Sequence, residues 1–143
     1  MSTESNKAVV QRFREALNAG DLDGAFAVFA PNAVVHMSSA PEPLSMEGFK
    51  QLGQLLQTAF TGATSTVEDM IAEGDKVVSR LIFRGTHTGD MMGIPPTGKS
   101  VAISEIIIDR LADGKIVESW RLFDQMGMMQ QLGVIPAPGQ SGS

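Results

Sequence analysis

At 143 residues, 43% hydrophobic and 19% charged, the chain suits one globular domain with a sizeable core and is too apolar for disorder. Eleven basic residues against sixteen acidic ones give a net charge of -5 without any like-charged run, so no phosphate-tracking face is present and nucleic acid is a poor partner. With no cysteine and only two histidines, disulfides, thiol nucleophiles and thiolate metal sites are excluded, and no metal is expected.

The N-terminal residues are polar and then amphipathic, unlike a targeting segment, and the apolar stretch around Ile106–Ile108 is too short to span a bilayer. A cytoplasmic protein with no membrane partner is the expectation. Val9, Val10, Phe13, Ala16 and Leu17 recur at helical spacing, which predicts a first helix over 6–18 closed by Gly20. Asp21 then caps a second helix carrying Leu22, Ala25, Phe26 and Phe29, which must stop at Pro31. A short strand over 33–37 and a proline-containing loop over 38–44 follow. Ser45 caps a third helix bearing Phe49, Leu52, Leu55, Leu56, Ala59 and Phe60.

The second half changes period from 3.6 to 2, giving strands over 65–72, 76–87, 101–111 and 115–123. Glu73-Gly74-Asp75 and Ala112-Asp113-Gly114 place a glycine where each hairpin turn needs positive φ. Between the hairpins, the Gly- and Pro-rich segment 88–100 (TGDMMGIPPTGKS) suits a rim or lid. A last helix over 125–132 starts after Asp124 and ends at Gly133. One domain over 1–135 and a flexible Pro/Gly/Ser-rich tail over 136–143 complete the reading. Three helices followed by antiparallel strands form an α+β pattern, with the helices laid on one face of a curved sheet to enclose a pocket.

These segments resemble a known family. The opening FREALNAGDLDGAFAVFAPNAVVH, then GTHTGDMMGIPPTGK, DRLADGKIVESW and DQMGMMQQLG together resemble the SnoaL-like polyketide cyclases of the nuclear transport factor 2-like superfamily. The resemblance implies a cone-shaped α+β barrel with a cavity for a small, largely apolar metabolite, no cofactor, and a homodimer formed through the sheet. In those cyclases an aspartate on the last strand is the base of an aldol closure, aided by a histidine on the neighbouring strand. Here Arg121 and Ile107 take those places, and an arginine cannot accept a proton at neutral pH. The ketosteroid isomerases of the same superfamily need a tyrosine, and the chain has none.

If Ala112, Asp113 and Gly114 form a three-residue turn, 105 pairs with 121, 107 with 119 and 109 with 117. Odd-numbered residues then share one face, which the resemblance turns toward the cavity, and Glu105 and Arg121 form a cross-strand ion pair on its floor beside Ile107 and Ser119. In the functional reading Arg121 polarises a carbonyl or carboxylate and Glu105 holds it or acts as acid or base; in the plain reading two charges satisfy each other.

His36 shares a strand face with Val34 and is a candidate general base pointing into the pocket; His87 is a weaker candidate that hydrogen-bonds the following loop. His87, Met91, Met92, Ile107, Ser119 and Phe123 are the candidate ligand contacts. Met126, Met128 and Met129 crowd the closing helix. Asp109 and Arg110 read as solvated strand-edge charges, and Trp120 with Glu118 falls on the opposite face, where a tryptophan suits an oligomer interface. The expected function is a cofactor-independent cyclase or isomerase acting by acid-base chemistry on an apolar carbonyl- or ester-bearing metabolite. A non-catalytic binding protein of the same fold, or an epoxide hydrolase or dehydratase, are the alternatives.

Overall fold

The computed structural model describes residues 2–136. The expected tail therefore lies, Pro136 apart, outside the described residues. Helix α1 (Thr3–Asn18) begins in a capping box in which Ser2 and Ser5 each satisfy the other's backbone N–H. Asp21 caps the short α2 (Leu22–Phe26) by accepting from the Gly24 N–H at 2.9 Å. Strand β1 (Phe29–Met37) starts earlier than the periodicity suggests, so Phe29 belongs to it rather than to α2. Pro31 forces Ala30 into an extended conformation, and the helix has already ended when the chain reaches Phe29.

Ser45 caps α3 (Met46–Ala59), and the chain turns extended at once in Phe60 to enter β2 (Phe60–Glu73). Strands β3 (Lys76–His87), β4 (Ser100–Ala112) and β5 (Lys115–Phe123) follow, then α4 (Gln125–Leu132), capped by Asp124 and closed by a left-handed Gly133. The sheet order is β1-β5-β4-β3-β2, antiparallel except where β1 lies parallel to β5. The fold is thus α+β, with helices packed on a five-stranded sheet. No helix among the described residues is long and apolar enough to cross a membrane.

The β4–β5 hairpin departs from the expected register. Ala112 pairs with Lys115 across a two-residue turn, in which Asp113 and Gly114 both have positive φ, at 52° and 77°. A bulge between Arg110 and Leu111 then adds a second offset, so Ile107 faces Arg121, Asp109 faces Ser119 and Glu105 faces Phe123. One residue from the turn and one from the bulge shift each partner by two. Beyond the bulge the shift of two keeps each side chain on its original face, so Glu105, Ile107, Asp109, Ser119 and Arg121 still look toward the helices, while between turn and bulge the even-numbered Ile116 takes the inward place.

Between the helices and the sheet, Phe13, Phe26, Phe29 and Phe49 form one aromatic cluster. Phe13 meets Phe29 edge-on at 5.3 Å and Phe26 meets Phe49 edge-on at 5.5 Å. Burying each ring contributes about 1.5–3 kcal/mol. A second cluster, under α4, gathers Ala59, Phe60, Met91, Val101, Ile103, Met128 and Leu132.

Candidate active site

A cavity of about 120 Å³ opens between α1, α3 and the sheet. Its walls are apolar, with Phe13 and Leu17 from α1, Phe49, Leu52 and Leu56 from α3, and Phe83 from β3. At its rim the Asn18 amide clips α1 to β2, donating to the Ser65 carbonyl at 2.8 Å and accepting from the Ser65 N–H at 2.9 Å. Three charged side chains reach the lining: Arg14, Glu105 and Arg121.

Arg121 is 7% exposed and lies against two aromatic faces, its guanidinium carbon 4.7 Å from the Phe49 centroid and 5.4 Å from that of Phe13. Its Nε donates to Ser119 Oγ at 3.2 Å, while Nη2 is buried without a partner. Asp109 lies directly opposite Ser119 on β4, with its Oδ1 buried and unpartnered among the described residues. Asp109 is 2% exposed, and burial pushes its carboxyl above the ordinary aspartate value against the pull of Arg121, Ser119 and Arg14. Arg14, on the same α1 face as Val10, Phe13 and Leu17, is 8% exposed with its guanidinium carbon 5.2 Å from the Phe13 centroid. Burial first, and the nearby charge of Arg121 second, lower its pKa to about 10.

Glu105 and Arg121 share the pocket, but not as the direct cross-strand pair expected. Glu105 sits opposite Phe123, and neither it nor Arg121 forms a salt bridge among the described residues. The altered turn and the bulge are the cause.

His36 is not in the pocket. β1 runs parallel to β5 with His36 beside Trp120, which places both on the outer sheet face, while Val35 points inward and is fully buried. The imidazole stacks on Trp120 at 5.4 Å and 10°, and its Nε2 lies 2.8 Å from Glu118 Oε2. Arg110 donates to the other oxygen of Glu118 at 3.1 Å, and His36 foremost, with Arg110, holds that carboxylate below its ordinary range.

His87 is fully buried outside the pocket lining. Its Nδ1 accepts from the Thr97 N–H at 3.2 Å, tying the ring to the loop after β3. Met91 packs in the cluster under α4, with Phe123 against it, and Met92 is 73% exposed. Ile107 and Ser119 are buried on the inner sheet face but lie beneath the pocket lining. The expected ligand contacts are thus dispersed, because the loop over 88–99 folds onto the end of α3, where Thr88 and Gly89 both donate to the Ala59 carbonyl at 3.0 Å.

Sequence reasoning missed Arg14 and Asp109. Each carried a signal: Arg14 falls in the 10, 13, 14, 17 stripe of α1, and Asp109 has the same parity as Glu105 and Ile107.

A family model described as SnoaL-like polyketide cyclase matches residues 7–132. The aklanonic acid methyl ester cyclase DnrD of Streptomyces peucetius is 31% identical over 139 residues, covering 93% of this chain and 92% of its own. The nogalonic acid methyl ester cyclase of Streptomyces nogalater is 31% identical over 97 residues, 67% of this chain and 72% of its own. Among solved structures, AclR of Streptomyces galilaeus, a candidate hydroxylase, superposes with a TM-score of 0.89 at 28% identity, covering 97% of this chain and 87% of its own. IdmH of Streptomyces antibioticus, a candidate polyketide cyclase, gives 0.79 at 35% identity, covering 90% and 98%. The family model spans most of the chain, DnrD matches along nearly its whole length and the fold agrees: the chain belongs to the SnoaL-like polyketide cyclase family.

Proposed function

We propose that the protein is a cyclase-type enzyme that closes a ring within a carbonyl-bearing polyketide, using Glu105 as base and Arg121 as the group that stabilises the developing oxyanion. One observation carries this reading: a carboxylate and a largely unpartnered guanidinium line one apolar cavity without neutralising each other. An intact ion pair would leave neither group free for substrate.

In the proposed cycle the Glu105 carboxylate takes a proton from a carbon next to a carbonyl, and Arg121 donates to the resulting enolate oxygen. The enolate carbon attacks a second carbonyl of the same molecule, forming the new carbon–carbon bond. The alkoxide so formed recovers the proton from Glu105. The step conserves mass, so no cofactor enters its balance. A cavity of about 120 Å³ is smaller than the ~150 Å³ that encloses a benzene, so it holds the reacting end of a polyketide and leaves the remainder at the mouth.

The curated relatives carry aklanonic and nogalonic acid methyl esters in their names, which makes those two compounds the first substrates to try. Incubation followed by liquid chromatography and mass spectrometry should give a new isomer of unchanged mass. Glu105→Gln should lower its rate by about 10²–10⁴-fold with the fold intact by circular dichroism. Tight binding with no isomer from either ester would favour the non-catalytic reading, which the replacement of the expected aspartate and histidine by Arg121 and Ile107 supports. Equal rates for wild type and Glu105→Gln would remove Glu105 from the mechanism.

A further inference from the structure

The proposed cycle forms two oxyanions and assigns a donor to only one of them. The enolate oxygen has Arg121, whereas the carbonyl that the enolate attacks becomes an alkoxide and needs a donor of its own. The pocket holds one more guanidinium. Arg14 is 8% exposed and lines the same cavity as Arg121, and both lie over the Phe13 ring, with guanidinium carbons 5.2 and 5.4 Å from its centroid. A guanidinium presents several N–H donors and no acceptor. Among the described residues, however, Arg14 makes no side-chain hydrogen bond and no salt bridge.

Position divides the work between the two arginines. Glu105 faces Phe123 and Arg121 faces Ile107, so Glu105 and Arg121 are diagonal neighbours on one sheet face. Such neighbours stand about 7–8 Å apart, close enough to serve one carbonyl and the carbon beside it. Arg14 projects instead from α1, on the helical side of the cavity, where it meets the other end of a bound dicarbonyl. Burial first, then the charge of Arg121, lower the pKa of Arg14 to about 10 against the pull of Glu105, so its guanidinium lies within the field of both.

Two guanidiniums over neutral carbonyls repel each other while the substrate is merely bound. Negative charge that appears only as the ring closes relieves that repulsion, so it lowers the barrier more than it tightens binding. An ester and a ketone are both neutral, and the methyl esters chosen above as first substrates meet this arrangement. We propose that Arg14 is a second catalytic arginine, donating to the carbonyl that is attacked, and that the substrate is a neutral keto ester with its ester carbonyl at Arg121 and its ketone at Arg14. The assignment rests on the cyclase reading for the order of the steps. As the enolate carbon bonds to the ketone carbon, the C=O electron pair moves onto the oxygen beside Arg14, and that oxygen takes the proton held by Glu105.

A small keto ester tests the assignment: methyl (2-(3-oxobutyl)phenyl)acetate, in which the carbon between ring and ester can close a ring on the ketone. It is labelled with carbon-13 at the ketone in one sample and at the ester in another, and bound to Glu105→Gln, which leaves it unreacted. Hydrogen bonding to a carbonyl oxygen moves the carbon signal downfield, so both labels should shift on binding. Adding Arg14→Met should return the ketone signal to its free position and leave the ester signal shifted, and adding Arg121→Met should do the opposite. Arg14→Lys should keep part of the ketone shift and guards against misfolding of the Met variant. An unshifted ketone, a ketone shift that survives Arg14→Met, or failure of the probe to bind overturns the proposal.

Rates measured without the Glu105 substitution separate Arg14 from the base. In deuterated buffer Arg14→Met should still exchange the proton between ring and ester within about threefold of wild type, while ring closure slows by about 10²–10³-fold. Equal losses of exchange and closure would make Arg14 a structural residue and overturn its assignment. An Arg14-dependent ketone shift without exchange in the wild type would sink Glu105 as base and spare Arg14; exchange and closure without that shift would do the reverse.

Discussion

Asp109 is a carboxyl held where its charge is costly, and its burial outweighs the two arginines that favour ionisation. Because the folded value is raised, the native state keeps a proton over a range in which the unfolded chain has lost it. Stability is therefore fully present below the ordinary aspartate value and is lost as pH rises through the folded value. Asp109→Asn should remove that loss: in urea melts from pH 4 to pH 8 the variant should gain on the wild type as pH rises, and parallel curves would show that Asp109 is not protonated on folding. The outer-face carboxylate of Glu118 is lowered instead, so its contribution runs the other way, present above the ordinary range and lost as pH falls. Parity along β4 and β5 puts Glu105 and Arg121 on one shared face from sequence, and the family resemblance is what turns that face inward. Alternation puts Asp109 on that same face, whereas its nearness to the hairpin end suggests a solvated strand-edge charge; alternation is the better guide, because the bulge lies on the turn side of Asp109 and leaves its facing unchanged. His36 was lost for a different reason: a strand of β1's length has two faces of similar hydrophobicity, and only the parallel pairing with β5 decides which of them looks inward.

The elements themselves were largely legible, because caps and turns are local chemistry. The strands over 76–87 and 115–123 and the helix over 125–132 match their observed bounds, and Asp21, Ser45 and Asp124 each cap the helix assigned to them. What local chemistry does not record is an offset that needs two strands at once, such as the bulge at Arg110 and Leu111. The loop over 88–99 was legible as a loop and not by its place, since its anchor is the carbonyl end of α3. Gly89 sits so close there that a Cβ would meet the Thr58 carbonyl oxygen, a backbone atom that cannot swing aside. Gly89→Ala should therefore destabilise the fold by about 1–3 kcal/mol, seen as a lower thermal midpoint, and should speed hydrogen exchange at the amides of Thr88 and Met91. An unchanged midpoint would mean that the loop is free to lift from the helix.

At the scale of the whole molecule, the outer face of β4 and β5 carries an apolar band among the described residues. Ile106 is 45% exposed and pairs with Leu122 at 62%, beside the half-buried pair of Ile108 and Trp120. We propose that a second copy of the chain covers this apolar band, the homodimer that the family resemblance implies. Sedimentation should then give a dimer for the wild type and a monomer for Leu122→Glu; a monomeric wild type would exclude it. The order of the strands has a consequence for how the chain is made. Among the described strands β1 is an edge strand beside β5, and Val35 exchanges both its backbone bonds with the nearby Leu44, so β1 can make that local bridge early but joins the sheet only once residues near 119 are present. Until β5 leaves the ribosome, Ala33 and Val35 lack the strand that joins them to the sheet, and the phenylalanines that pack with them lack Ile116. This early-made strand is thus among the last secured, and a nascent chain stalled before β5 exposes its β5-facing edge to chaperones or to its neighbours.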